Sequence, residues 1–204
     1  MRLVVGLGNP GNEFVGTRHN VGWEILDSLA VRLHWIGQGR DFNRVARKKF
    51  DGLALDGSSP AGNKALLLKP TTFMNASGQA VQAAMAFYQL SPADVMIVLD
   101  DMALPCGKIR IRGGGSSGGH NGLKDIERAL ATDQYPRLRL GIDSPPPPMA
   151  GHDYVLGRFT AAQRPVIDEA SRRAAEAIVA WIDQGLETAM NGFNKERLKD
   201  QKGD

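Results

Sequence analysis

Cysteine is almost missing from this chain: Cys106 is the only one in 204 residues. A lone thiol can neither close an internal disulfide nor build a thiolate metal cluster. Such usage fits a reducing cytosol. Long apolar runs are missing too, and nothing approaches the roughly 20 residues of a membrane-spanning helix. The chain enters an apolar strand at residue 2, so no signal or transit peptide is expected, and the expected location is the cytoplasm. Neither sign of charge dominates. Lys and Arg number 25 against 22 Asp and Glu, a net charge of +3. That balance permits a polyanionic partner without demanding one. No internal repeat is present. What remains is ordinary globular composition, 42% hydrophobic and 23% charged, in a length that suits one compact domain. Residues 1–192 are expected to form that domain, with 193–204 as a charged, flexible tail.

Hydrophobic periodicity gives the order of elements. Residues 3–7 form a short apolar run, read as a strand. Val21, Ile25, Leu29 and Leu33 then recur at helical spacing, with Leu26 and Ala30 widening the stripe. Residues 42–55 read as a hairpin whose first arm is basic (Arg44, Arg47, Lys48, Lys49). Residues 65–68 read as a buried strand. A helix after Asn75 carries Val81, Met85 and Tyr88 on one face. The unbroken apolar run 95–99 predicts a strand covered on both sides. Residues 108–112 alternate basic and isoleucine. A glycine–serine loop spans 113–119. A helix with Leu123, Ile126 and Leu130 follows, then a strand at 138–142. The prolines of 144–149 make a stiff, extended connector. Thr160-x-x-Gln163 is a capping box for a long helix with the stripe Ile167, Ala170, Ala174, Ile178 and Trp181. This alternation predicts an α/β three-layer sandwich: one twisted, mixed but largely parallel sheet with helices on both faces.

Ligands of open α/β sheets bind beyond the carboxyl ends of the strands. Asn9, Asn75 and Asp100 each follow a strand, Asn121 opens a helix after the glycine loop, and His19 precedes the first helix. A titratable base, a carboxylate and three amides are therefore expected at one edge. Asparagine is also a favoured helix N-cap, which offers a plainer role for Asn20, Asn75 and Asn121. His34 and His152 read as surface or packing residues.

Two motifs mislead. Gly6-Leu-Gly-Asn-Pro-Gly11 spells the dinucleotide fingerprint, but Pro10, Gly11 and Gly16 delay the helix that must start within it. Gly114-Gly-Ser116-Ser-Gly118 spells a nucleophile elbow, with Asp125, Asp133, Asp143 and His152 later in the chain. That elbow needs a tight strand–turn–helix with apolar support, which this glycine loop lacks.

Five separated stretches occur in an order that resembles bacterial-type peptidyl-tRNA hydrolases. They are Val5-Gly-Leu-Gly-Asn-Pro-Gly11; Thr17-Arg-His-Asn-Val-Gly22; Lys69-Pro-Thr-Thr-Phe-Met-Asn75 with Ser77-Gly78; Asp100 with Leu104-Pro-Cys-Gly107; and Gly118-Gly-His-Asn-Gly-Leu-Lys-Asp125. The resemblance implies a monomeric esterase without metal or cofactor. Its substrate would be the ester between a peptide and the 3′ ribose of tRNA, so that it recycles tRNA from peptidyl-tRNA released by ribosomes. It implies His19 as general base, Asp100 as its stabilising partner, and Asn9 as the residue that handles substrate and excludes free aminoacyl ends. Phe14, Phe73, Asn75 and Asn121 would hold the peptide or the 3′ end, and His120 would shape a gate made by the 113–119 loop. Arg112 and Arg139 would contact phosphates of the acceptor stem.

The residue types suit that chemistry. Histidine is the side chain that can deprotonate water near neutral pH, and a carboxylate can fix its tautomer and stabilise its cation. Asparagine N–H groups can bind the oxyanion. Lys108, Arg110 and Arg112 on one strand, with Arg137 and Arg139 on another, could hold phosphates without reading sequence. Two departures from the family stand out: Phe14 where tyrosine is common, and Ala103, after Met102, where a second acid is common. Rival readings are a non-catalytic RNA-binding protein on the same fold and a serine esterase using the glycine-loop serine.

Overall fold

The computed structural model describes residues 1–195. Seven strands form one sheet: β1 Arg2–Gly6, β2 Arg47–Lys49, β3 Gly52–Ser58, β4 Lys64–Pro70, β5 Val95–Asp101, β6 Ile109–Arg112 and β7 Arg137–Gly141. Their order is β2-β3-β4-β1-β5-β7-β6. The central four run parallel, and β2, β3 and β6 add antiparallel edges. The expected sheet is thus present. The antiparallel pairs β2–β3 and β3–β4 follow from short connections, which can join only antiparallel neighbours, whereas β6 and β7 are joined through α4.

Helices cover both faces. α1 (Val21–Arg32), α6 (Gln163–Gln184) and α7 (Leu186–Phe193) pack on one side; α3 (Ser77–Tyr88) and α4 (Asn121–Leu130) pack on the other. The period-2 strand alternation sorts side chains between two cores. Val4, Met96 and Val98 join the first, while Leu3, Val5, Ile97 and Leu99 join the second. The stripe Ile167, Ala170, Ala174, Ile178 and Trp181 of α6 is buried along its whole length. The capping box before it forms: Gln163 N–H donates to Thr160 Oγ1 and Thr160 N–H donates to Gln163 Oε1, each at 3.2 Å.

Three expectations need correction. The hairpin begins at Arg47, because Phe42–Val45 forms a short helix, α2, capped by the Asp41 carboxylate and buried through Phe42. The proline connector leads first into a short helix, α5 (Gly151–Leu156), whose six residues are too few to show a periodic stripe. The asparagines do not cap. No side-chain cap bond forms at Asn20, α3 starts at Ser77, and the cap of α4 is His120. Most of the expected tail, residues 196–204, lies outside the described residues. Asn194, just before it, is bonded through its side-chain amide to both the N–H and the carbonyl of Ile111.

β1 sits between β4 and β5; α1, which follows β1, covers one face, and α3, which joins β4 to β5, covers the other. A crevice opens at such a switch point, at the carboxyl ends of the strands.

Candidate active site

The fingerprint-like glycines serve packing. Residues 7–20 separate β1 from α1. A Cβ on Gly6 would meet the Gly22 carbonyl oxygen at 2.4 Å, and one on Gly22 would meet the Val98 oxygen at 2.5 Å. Two glycines let α1 lie directly on β1 and β5, which sets the height of the turn before it.

That turn, Arg18–Asn20, carries His19. Arg18 pins it from below. Its buried guanidinium stacks 4.2 Å from the Tyr154 ring and donates to Gln163 Oε1 at 3.0 Å. The Arg18 N–H also reaches the Gly157 carbonyl at 3.0 Å. The helix-capping glutamine therefore doubles as a support for the histidine turn. Asn20 locks the other side. It accepts from the Asn9 N–H at 2.8 Å and donates to the Asn9 carbonyl at 2.9 Å. The side chain expected to cap α1 is consumed here. Asn9 in turn uses its side-chain Oδ1 to accept from the Met74 N–H at 2.8 Å, leaving its amide N–H groups with no partner among the described residues.

His19 and Asp100 meet as expected. His19 Nδ1 lies 2.8 Å from Asp100 Oδ1, with His19 8% and Asp100 3% exposed. A second histidine shares the same oxygen: His120 Nε2 lies 3.1 Å from Asp100 Oδ1. His120 Nδ1 accepts from Leu123 N–H at the start of α4, which leaves Nε2 as the ring's donor. The two rings are tilted, with centroids 4.9 Å apart. Burial by itself would raise the Asp100 pKa. The charges of His19 and His120 and the hydrogen bonds from both outweigh it, and hold the carboxyl well below the usual carboxylate range. Asp100 is therefore an anion throughout the neutral range. His19 Nδ1, Asp100 oxygen and His120 Nε2 are also the one histidine–carboxylate group among the described residues that could hold a metal ion.

A cavity of about 400 Å³ opens over this pair, lined among others by Asn121, Arg139, Met102 and Ala103. α5 closes one wall with Gly151, His152 and Val155. His152, read as a surface residue, is exposed but lines this cavity, a position only the tertiary fold could reveal. Asn9, buried and bonded to the Met74 N–H, and Asn75, next to Met74 in sequence, stand outside the cavity's lining. Gly122 of α4 lies so close to the Met74 sulfur that a Cβ would approach it to 2.7 Å. Asn75 is exposed and Phe73 is 60% exposed, while Phe14 is half-buried in the turn Asn12–Phe14; none of the three lines the cavity.

The arginines divide. Arg139 lines the cavity, pairs with Asp101 at 3.1 Å, and donates to the Ser116 carbonyl at 2.8 Å. Arg137 is only 1% exposed, stacks on Tyr135, and donates to the carbonyls of Gly115 and Asp133. It anchors the glycine loop and cannot present itself to phosphate. Arg112 is exposed but pairs in register with Arg137, at the end of β6 away from the crevice. Alternation put Arg137 and Arg139 on one face of β7. Which of them that face exposes is set by the loop lying over Arg137. The elbow reading also fails on geometry, since residues 113–120 separate β6 from α4 and the Ser116 carbonyl is held by Arg139.

Comparison with known proteins gives one consistent result. Residues 3–201 match the family model described as peptidyl-tRNA hydrolase. The peptidyl-tRNA hydrolase of Caldanaerobacter subterraneus subsp. tengcongensis is 46% identical over 95% of this chain and 100% of its own length. That of a Synechococcus strain is 44% identical over 95% of this chain and 83% of its own. The crystal structure of peptidyl-tRNA hydrolase from Acinetobacter baumannii superimposes with a TM-score of 0.85 at 34% identity, covering 97% of this chain and 96% of that one.

Proposed function

The chain belongs to the peptidyl-tRNA hydrolase family and hydrolyses the ester of peptidyl-tRNA; from that premise we propose that His19 is its general base and Asp100 the group that orients and stabilises it. The 2.8 Å contact between His19 Nδ1 and a buried carboxylate carries this reading. Nδ1–H donates to Asp100, so Nε2 is left as the acceptor and has no partner among the described residues. In the reaction Nε2 takes a proton from water, and the resulting hydroxide adds to the ester carbonyl carbon. The imidazolium is stabilised by Asp100 as it forms. The tetrahedral oxyanion accepts hydrogen bonds from asparagine N–H groups, with Asn9 and Asn121 as donors. Collapse breaks the bond to the 3′ oxygen, which leaves with the proton from Nε2.

Asn9 also supports discrimination between blocked and free amines. Its oxygen is occupied by Met74 N–H, so it offers only N–H donors to the substrate. A peptide carbonyl can accept from them. A free α-ammonium has only protons to give and is rejected. Asn75, Asn121, Phe14 and Phe73 supply contacts to the peptide and 3′ end, and His120 ties the glycine-loop gate to Asp100. Arg139 binds phosphate by exchanging its Asp101 and Ser116 partners, and Arg112, exposed at the far end of the edge strand, contacts the acceptor stem away from the crevice. In this reading the enzyme works as a cytoplasmic monomer; no described helix is long and apolar enough to cross a membrane.

The test is release of tRNA from N-acetyl-aminoacyl-tRNA, with unblocked aminoacyl-tRNA as control. The expected result is cleavage of the blocked ester alone, slowed by about two to four orders of magnitude in His19→Ala. Ser116→Ala and Ser117→Ala should keep their rate. Full activity in His19→Ala would remove the mechanism, and loss of activity in a serine variant would revive covalent catalysis.

A further inference from the structure

We propose that His19, Asp100 and His120 together form a binding site for a divalent transition cation of the Zn²⁺ type, and that filling it switches hydrolysis off. The inhibition rests on the reading of His19 as base; the site itself does not.

Both ring nitrogens converge on one atom, Asp100 Oδ1, at 2.8 and 3.1 Å. The three donor atoms all lie within 4.8 Å of one another. An ion with ligand bonds of about 2.0–2.2 Å takes neighbouring donors roughly 3–4 Å apart, so it can enter where the rings already point while the carboxylate shifts aside to become the third ligand. Two imidazoles and one carboxylate suit a borderline transition ion, whereas Mg²⁺ and Ca²⁺ prefer oxygen ligands. Arg139, the guanidinium lining the cavity, pairs with Asp101 and leaves the Asp100 carboxylate to the two rings. The adjoining cavity of about 400 Å³ leaves room for water to complete the shell.

The proton balance explains the inhibition. With both rings neutral, coordination moves the His19 proton from Nδ1 to Nε2 and the His120 proton from Nε2 to Nδ1, with no net release. His19 Nε2 then carries a proton and cannot accept one from water. His120 Nδ1 stops accepting from Leu123 N–H, a 3.4 Å contact that contributes little.

Full-length protein is titrated with Co²⁺ and its visible d–d absorption recorded without substrate, then Zn²⁺ is added as competitor. Saturable one-to-one bands that Zn²⁺ removes are expected. His120→Gln, checked for folding by circular dichroism, should weaken binding at least about tenfold. His34→Ala, His152→Ala and Cys106→Ser should stay within about twofold of wild type. Hydrolysis should fall with the same Zn²⁺ midpoint as binding and return with chelator, after subtraction of metal-catalysed cleavage measured without enzyme. The proposal is overturned by absent bands, by bands lost in Cys106→Ser, by unweakened binding in His120→Gln, or by hydrolysis that saturating Zn²⁺ leaves intact or raises. Absent bands sink the site alone; full activity of metal-free His19→Ala sinks the base reading alone.

Discussion

Replacing Asp100 by asparagine separates charge from position. The carboxylate is buried, and its two hydrogen-bond partners, His19 and His120, both use Oδ1. An amide oxygen has two lone pairs, so in Asp100→Asn the new side chain can accept from both rings and keep His19 in the tautomer with Nδ1 protonated. What disappears is the negative charge beside the imidazolium that forms in the transition state. Two unit charges about 4 Å apart interact by about 4 kcal/mol at an effective dielectric of 20. The amide dipole and the relief of desolvation return part of that, leaving a loss of about 2–3 kcal/mol. The rate should therefore drop roughly 30- to 150-fold. A serine-protease triad loses about 10⁴ on the same change because its histidine takes the wrong tautomer; here the second donor, His120, holds the amide in place. Asp100 acts on the reaction through His19, so the loss should fall on kcat with KM unchanged. Single-turnover release of tRNA, beside a thermal melt, measures it. A rate within twofold of wild type would refute the charge role. A loss near 10⁴ would show that His120 does not hold the tautomer.

Asn20→Ala removes both bonds to the Asn9 backbone and should destabilise by about 1–3 kcal/mol; chemical denaturation reads the stability, and the ratio of blocked to unblocked ester cleavage should fall with it. Gly22→Ala places a methyl 2.5–2.6 Å from the Val98 oxygen and the Leu7 backbone, and should lower stability by about 1–3 kcal/mol or more; an unchanged urea midpoint would contradict that packing. Burial of the Tyr135 phenol, aided by Glu127 and Asp133 against the pull of Arg137, pushes its pKa up to about 12. The folded state therefore favours the neutral phenol, and that stability is complete below about pH 10, the ordinary phenol value, and lost as pH rises toward the folded value. Absorbance in the near ultraviolet should show one of the three tyrosines ionising last, together with unfolding; its titration at the ordinary phenol value in folded protein would contradict the burial.

Hydrophobic periodicity carried the fold because its cause is local. A stripe repeating every three or four residues can be buried only as a helix, and the stripe of α6 lies buried as expected. Elements without a long stripe were illegible. Phe42–Val45 and Gly151–Leu156 are four and six residues long, too short for a stripe, and tertiary packing, with the Asp41 cap for the first, makes them helical. The site was legible through its polar residues, since strand ends in an α/β sheet converge on one crevice. His19 and Asp100 come from distant segments and meet there because β1 and β5 are neighbours. Their motifs, moreover, resemble those of the family that the chain matches.

Composition, pattern and motif determined the architecture, the crevice and the identity of the His19–Asp100 pair, because each depends on residue type and chain order. Only the tertiary structure decided what each polar group bonds to. It turned Asn20 from a cap into a lock on Asn9 and Arg137 from a phosphate contact into a buried loop anchor, and it gave Asp100 a second partner in His120. A donor or acceptor bonds the nearest complementary group in space, and in a crossed-over sheet that group is rarely near in sequence.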